Sequence, residues 1–241
     1  MNKIPSSRLS PSYSRFLLSI AALGGLSAGQ AEGAVTTYTS SSSFMSALGA
    51  EGLTARTQDF EGITAGTTYS DPATLDWLTL LNSSIADDLL VTNQFETTSG
   101  DNYLGLDNAA NSNQFLNGLT IDLSWTGSAY AIGLNFITAE IPNVSLFDDD
   151  ISLTVATAGN GTVVANLDVD AQDGTLPAGD RVFFIGIIDD TNPFSGANLD
   201  TVTGGGPLIL FNIDDVTTGI PEPSTTLLLL GSLLLVGRRK R

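Results

Sequence analysis

From residue 87 onward the apolar residues come in short alternating or continuous runs, never at a sustained helical spacing. Residues 88–92 (DLLVT) are a short apolar run, and residues 119–123 (LTIDL) alternate. Residues 129–138 (AYAIGLNFIT) place Tyr130, Ile132, Leu134 and Phe136 on one face of a strand. Residues 151–157 (ISLTVAT) and 162–167 (TVVANL) flank Asn160-Gly161, a pair suited to the positive φ angles of a tight hairpin. Residues 181–188 (RVFFIGII) are almost wholly apolar, as for a strand buried on both faces, and residues 208–213 (LILFNI) form the last run. Upstream, residues 41–48 (SSSFMSAL) predict a short helix opened by capping serines, and residues 76–90 offer a second helical candidate. Short strands with turns at roughly ten-residue spacing predict an all-β fold. The expected architecture is a two-sheet antiparallel sandwich of jelly-roll type, with a short N-terminal helix.

Both ends break this pattern. Lys3, Arg8 and Arg15 precede an apolar stretch at 16–26, and Gly29-Gln30-Ala31 fits a small-x-small cleavage site. These are the three parts of a secretory signal peptide. At the other end Pro221-Glu222-Pro223-Ser224 leads into residues 225–237 (TTLLLLGSLLLVG), and Arg238-Arg239-Lys240-Arg241 closes the sequence. A basic end after an apolar helix stays on the cytoplasmic side, which places the preceding body outside. The expected division is therefore a signal peptide at 1–31, an ectodomain at 32–219 and an anchor segment at 220–241, ending in a C-terminal hydrophobic helix. Residues 224–237 rise ~21 Å as a helix against a bilayer core of ~30 Å, so the anchor is short and leans on thinning of the bilayer or snorkelling of its basic end.

The tail resembles the PEP-CTERM sorting signal: a Pro-Glu-Pro motif, a short apolar helix and an arginine-rich end. That resemblance implies processing by a membrane enzyme of the exosortase type, with Pro221, Glu222 and Pro223 as the sorting motif. It also implies contact with the inner membrane through the C-terminal helix, and a destination at the cell surface or in the extracellular matrix.

Charge sharpens the picture. The chain of 241 residues has no histidine and no cysteine, which removes disulfides, thiolate chemistry and the Ser-His-Asp triad. Its 26 acidic residues all lie between Glu32 and Glu222, where only Arg56 and Arg181 oppose them. Such a body repels phosphate backbones and excludes nucleic acid as a partner. It stays dispersed outside the cell and attracts cations.

The body also resembles, more loosely, lectin-like jelly-roll domains and carbohydrate-binding modules, through Asp59-Phe60-Glu61-Gly62, Ala131-Ile132-Gly133-Leu134, Phe183-Phe184-Ile185-Gly186-Ile187 and Phe211-Asn212-Ile213-Asp214-Asp215-Val216. The resemblance implies a structural Ca2+ held by Glu61 and Asp214. Calcium needs six to eight oxygens, so main-chain carbonyls would complete the shell. The competing reading makes both residues solvated edge carboxylates. Asp148-Asp149-Asp150 reads as a solvated turn before a cation site, because adjacent side chains cannot all face one ion. Residues 168–174 miss the EF-hand spacing. Among the aromatics Trp125 is expected in the core, whereas Trp77, in a loop-like stretch, is the candidate for stacking on a sugar.

Three function classes follow, in order. The first is a structural or adhesive surface protein, not an enzyme. The second is a carbohydrate-binding module acting on extracellular polysaccharide. The third is a carboxylate-based glycoside hydrolase, which needs no histidine but does need a cleft holding a carboxyl of raised pKa.

Overall fold

The apolar runs fold as strands, and the chain winds them into two antiparallel sheets packed face to face. The computed structural model describes residues 34–82, 87–116, 118–138, 151–167, 172–201 and 210–222. The signal-peptide segment, the triplet at 148–150 and the C-terminal apolar stretch lie outside the described residues. Among the described residues no helix is long and apolar enough to cross a membrane.

The elements are β1 (Val35–Tyr38), α1 (Ser41–Ala50), β2 (Leu53–Gln58), β3 (Thr67–Tyr69), β4 (Ala73–Leu75), β5 (Leu78–Asn82), β6 (Leu89–Thr92) and β7 (Tyr103–Leu106). They continue with β8 (Phe115–Leu116), β9 (Thr120–Ala129), β10 (Ala131–Thr138), β11 (Ile151–Thr157), β12 (Gly161–Asn166), β13 (Gln172–Thr175), β14 (Arg181–Asp189), β15 (Phe194–Thr201) and β16 (Leu210–Pro221). A single 3-10 turn at Ala109–Asn111 is the other helical piece described.

Among the described residues one sheet has ten strands and runs β1-β14-β10-β16-β7-β6-β3, with β13, β2 and β8 attached to its path. The other has six, in the order β12-β11-β15-β9-β5-β4. Successive strands such as β9 and β10, or β14 and β15, lie in opposite sheets, so the chain crosses repeatedly between the two layers of the sandwich. The main core fills the space between the sheets, from Leu78, Leu80, Ile121 and Leu123 on one side to Ile132, Leu134, Phe136 and Ile185 on the other.

The short helix forms where expected, although Ser40 at its N-cap makes no side-chain capping bond, and it explains a departure from the alternation. All of β10 is buried, not one face of it. Phe44 and Leu48 of α1 cover the outer face of the sheet and pack with Ala131, Phe184 and Ile188 as a second, smaller core. Burying each of the larger side chains contributes roughly 1.5–3 kcal/mol. The approach is close because Gly133 and Gly186 carry no side chain: a Cβ at Gly186 would stand 2.9 Å from both Phe44 and Phe184.

The second helical candidate, at 76–90, is a correction. Its described part holds β5 and the start of β6. Leu78 and Leu80 point into the core while Thr79 and Leu81 face outward, so the period is two. Pairing of Leu78 with Trp125 and Leu80 with Leu123 fixes that register. The hairpin at Asn160-Gly161 forms as expected, with Gly161 at φ 68° joining β11 to β12.

Candidate functional site

Strand β16 positions the chemistry. It lies between β10 on one side and β2, β7 and β8 on the other. Gly133 pairs with Thr217 and Asn135 with Asp214, so two residues of β16, Asp215 and Val216, face one residue of β10. This is a β-bulge, and Asp215 takes the left-handed φ of 50° within it. Neighbours on a regular strand point to opposite faces. The bulge lets Asp214 and Asp215 reach the same loop.

That loop is 93–102, between β6 and β7. Thr98 N–H (2.9 Å), Thr98 Oγ1 (2.6 Å) and Ser99 N–H (3.3 Å) donate to Asp214 Oδ2. Asp215 Oδ1 accepts from Ser99 Oγ at 2.7 Å, and its Oδ2 lies 2.8 Å from Thr98 Oγ1. Asp215 N–H donates to Asp214 Oδ1 at 2.9 Å. Asn135 Nδ2 reaches Thr98 Oγ1 and Asp215 Oδ2, both at 3.3 Å, while its buried Oδ1 has no partner. Asp214 is fully buried. Burial first, and then the charge of Asp215, pushes its pKa up to about 7.

Glu61 holds the C-terminal end of the same loop. The turn after β2 places buried Phe60 at φ 61°, and Asp59 Oδ1 accepts the Glu61 N–H at 3.1 Å. Glu61 Oε1 then accepts N–H groups from Asp101 (2.8 Å) and Asn102 (2.6 Å). The Glu61 carboxyl occupies the space a side chain at Gly100 would need, and Gly100 has φ 56°. The pairing of β2 with β16 brings the turn that carries Glu61 beside the strand that carries Asp214. Asp214 therefore grips the middle of the loop and Glu61 its C-terminal end. Their oxygens face N–H and O–H donors, and no group of three carboxylates gathers among the described residues. That donor set fits a clamp on the loop and does not by itself supply the six to eight oxygens of a calcium shell.

The clamped loop forms one wall of a cleft of about 790 Å³, opposite the turn at 177–180. Phe95, Glu96 and Asp101 line it from the loop, and Asp180 from the turn. Ala178 N–H donates to Glu96 Oε2 at 2.7 Å and ties the two walls together. Burial, then the Glu96 charge, raises the Asp180 carboxyl above its ordinary value. The Phe95 ring stacks on buried Tyr103, with centroids 6.4 Å apart.

Trp77 is 5% exposed and belongs to the main core. The Arg56 guanidinium lies 4.7 Å over its ring and pairs with Asp76 at 3.7 Å. An indole so enclosed presents no open face to a sugar. Trp125 is in the core, as expected. Pro221 closes β16 opposite Leu53, two residues beyond the expected domain boundary, and Glu222 follows it; both are exposed. Pro223 lies outside the described residues.

The fold and the site define a β-sandwich protein with a carboxylate-clamped loop bordering an acidic cleft. No known protein family matches this chain, and no curated protein does either. Sequence reasoning reached Glu61 and Asp214 but missed Asp215, Thr98, Phe95, Glu96 and Asp180. Only the polar run 93–102, flanked by two apolar strands, hinted at a loop with a role.

Proposed function

We propose that the chain is an exported bacterial surface or extracellular-matrix protein with a structural or adhesive role, sorted through a PEP-CTERM-type tail and processed by an exosortase-type enzyme. The observation that carries this reading is the exposure of the first two residues of the motif at the end of β16. Strand β16 pairs with β10 as far as Gly219 and with β2 as far as Pro221, and Pro221 and Glu222 are exposed. A processing enzyme needs an accessible, extended segment, and the motif begins on the exposed last residue of this extended strand. The body is strongly acidic and free of histidine and cysteine, in keeping with a dispersed, non-catalytic surface protein. Replacing Glu222 with Ala in producing cells is expected to block processing, read as a larger, membrane-retained species on fractionation. Unaltered processing would overturn this role for the motif.

Carbohydrate binding is the second reading, favoured by the cleft rather than by Trp77. Phe95 offers an apolar wall beside carboxylates and side-chain amides, the combination that recognises sugars. Glu96 is engaged by the Ala178 N–H, which suits a fixed binding acceptor better than a proton-transferring base.

A further inference from the structure

The cleft differs from a merely acidic surface in three ways. Its walls are joined: Glu96 of the 93–102 loop accepts the Ala178 N–H of the opposite turn. Its volume of about 790 Å³ falls within the roughly 300–1,000 Å³ of small-ligand clefts. It is also chemically incomplete. Glu96, Asp101 and Asp180 line it with no Lys or Arg among the lining residues. Two of these carboxylates repel each other closely enough that the Glu96 charge acts on Asp180. Behind Phe95, the hydroxyl of fully buried Tyr103 has no hydrogen-bond partner; Thr92 and the main chain of Gln94 and Phe95 approach it without reaching bonding geometry. This hydroxyl lies near enough to the cleft for the Asp180 charge to act on it. Fixed, uncompensated negative charge beside an aromatic face is the environment that attracts an organic ammonium.

The geometry points to a binding site for an amine-bearing sugar, with its ammonium between Glu96, Asp101 and Asp180, one apolar ring face against Phe95, and its hydroxyls on the amides of Asn93 and Gln94. The amides decide between sources of an ammonium. Asn and Gln side chains both donate and accept, as vicinal hydroxyls require. A lysine chain has no hydroxyls to meet them. The inference deepens the carbohydrate reading of the cleft and is independent of the sorting role of the tail.

The test is calorimetric titration of the full chain in detergent micelles at pH 6 with three probes: a β-1,4-linked glucosamine oligomer, its N-acetylated counterpart and a lysine oligomer of equal length. The glucosamine oligomer is expected to bind at least about tenfold more tightly than the other two. Glu96→Gln and Asp180→Asn should each weaken it about tenfold, because a charge-assisted bond is lost while the shape is kept. Phe95→Leu should weaken it by a smaller factor. Glu51→Gln, which removes an exposed charge just after α1 and away from the cleft lining, should leave it unchanged. Equal binding of the N-acetylated oligomer would overturn the ammonium assignment, and equal binding of the lysine oligomer would overturn the sugar assignment. Losses no greater in the cleft variants than in Glu51→Gln would reduce the effect to diffuse attraction and overturn the site. None of these failures touches tail processing, which is read separately in cells.

Discussion

Two aspartates of the larger sheet, Asp189 and Asp214, are each fully buried, yet their carboxyls move in opposite directions. Asp189 ends β14. Burial raises its pKa, but hydrogen bonds outweigh burial and leave it below its ordinary value. Its donors are Asn160 Nδ2 (2.9 Å) and the N–H groups of Asn192 (2.9 Å) and Thr191 (3.2 Å), with longer bonds from Thr191 Oγ1 and Asn192 Nδ2. Asp214 accepts a comparable set, but Asp215 stands beside it in the bulge, and its pKa rises to about 7. Full burial thus does not by itself set the sign. At Asp214 burial, reinforced by the like charge of Asp215, outweighs the donors, whereas at Asp189 the converging donors outweigh burial. Asp189 therefore works as a permanent anchor that ties the β11–β12 hairpin turn to the 189–192 turn. Asp214 is a clamp whose cost depends on pH.

The largest test of this contrast is the pH dependence of stability. The folded pKa of Asp214 exceeds its unfolded value, so the folded state binds more protons between the two. The stabilisation is fully present below pH ~4 and is lost as pH rises through about 7, by up to roughly 4 kcal/mol. Denaturant unfolding at pH 5 and pH 8 should show the decline. Asp214→Asn, which cannot ionise, should flatten it relative to the parent; an unchanged slope would place the titration elsewhere. Asp189 behaves in the opposite sense, its contribution being present above the ordinary carboxylate range and lost as pH falls through its depressed folded value. Asp189→Ala leaves several buried donors unpaired and should cost about 2–4 kcal/mol at pH 7. A loss below 1 kcal/mol would mean that water replaces the carboxylate.

Smaller effects are expected at the exposed end of the clamp. Glu61→Gln keeps an acceptor for the Asp101 and Asn102 N–H groups and should cost only about 0.5–1 kcal/mol. EDTA should leave the melting temperature unchanged if hydrogen bonds alone hold the loop. A fall on chelation, suppressed in Glu61→Gln and Asp214→Asn, would instead place calcium at these two residues.

How much was legible follows the range of the forces involved. The β11–β12 hairpin was readable because its register depends on Asn160-Gly161 and two adjacent apolar runs. Strand β14 was readable because a strand buried on both faces must be apolar throughout. Strands β1 and β2 were not expected, because they are short and take their stability from β14 and β16 far along the chain, and β3 and β4, at three residues each, are too short to show a period. The candidate at 76–90 failed as a helix for the same reason, since pairing with β9 fixes its period.

The sequence by itself determined an all-β sandwich, a short helix near its start, an acidic body without histidine or cysteine chemistry, and the Pro221-Glu222-Pro223 motif. Composition, alternation and local motifs carry that information within a few residues. Only the tertiary structure decided that Asp214 and Asp215 reach the same loop, that Glu61 grips its C-terminal end, that Trp77 is enclosed, and that Phe95 and Glu96 face Asp180 across a cleft. Each of these depends on a bulge, a register or a loop contact between segments tens of residues apart, and neither a side chain's type nor its neighbours in sequence specify such a contact.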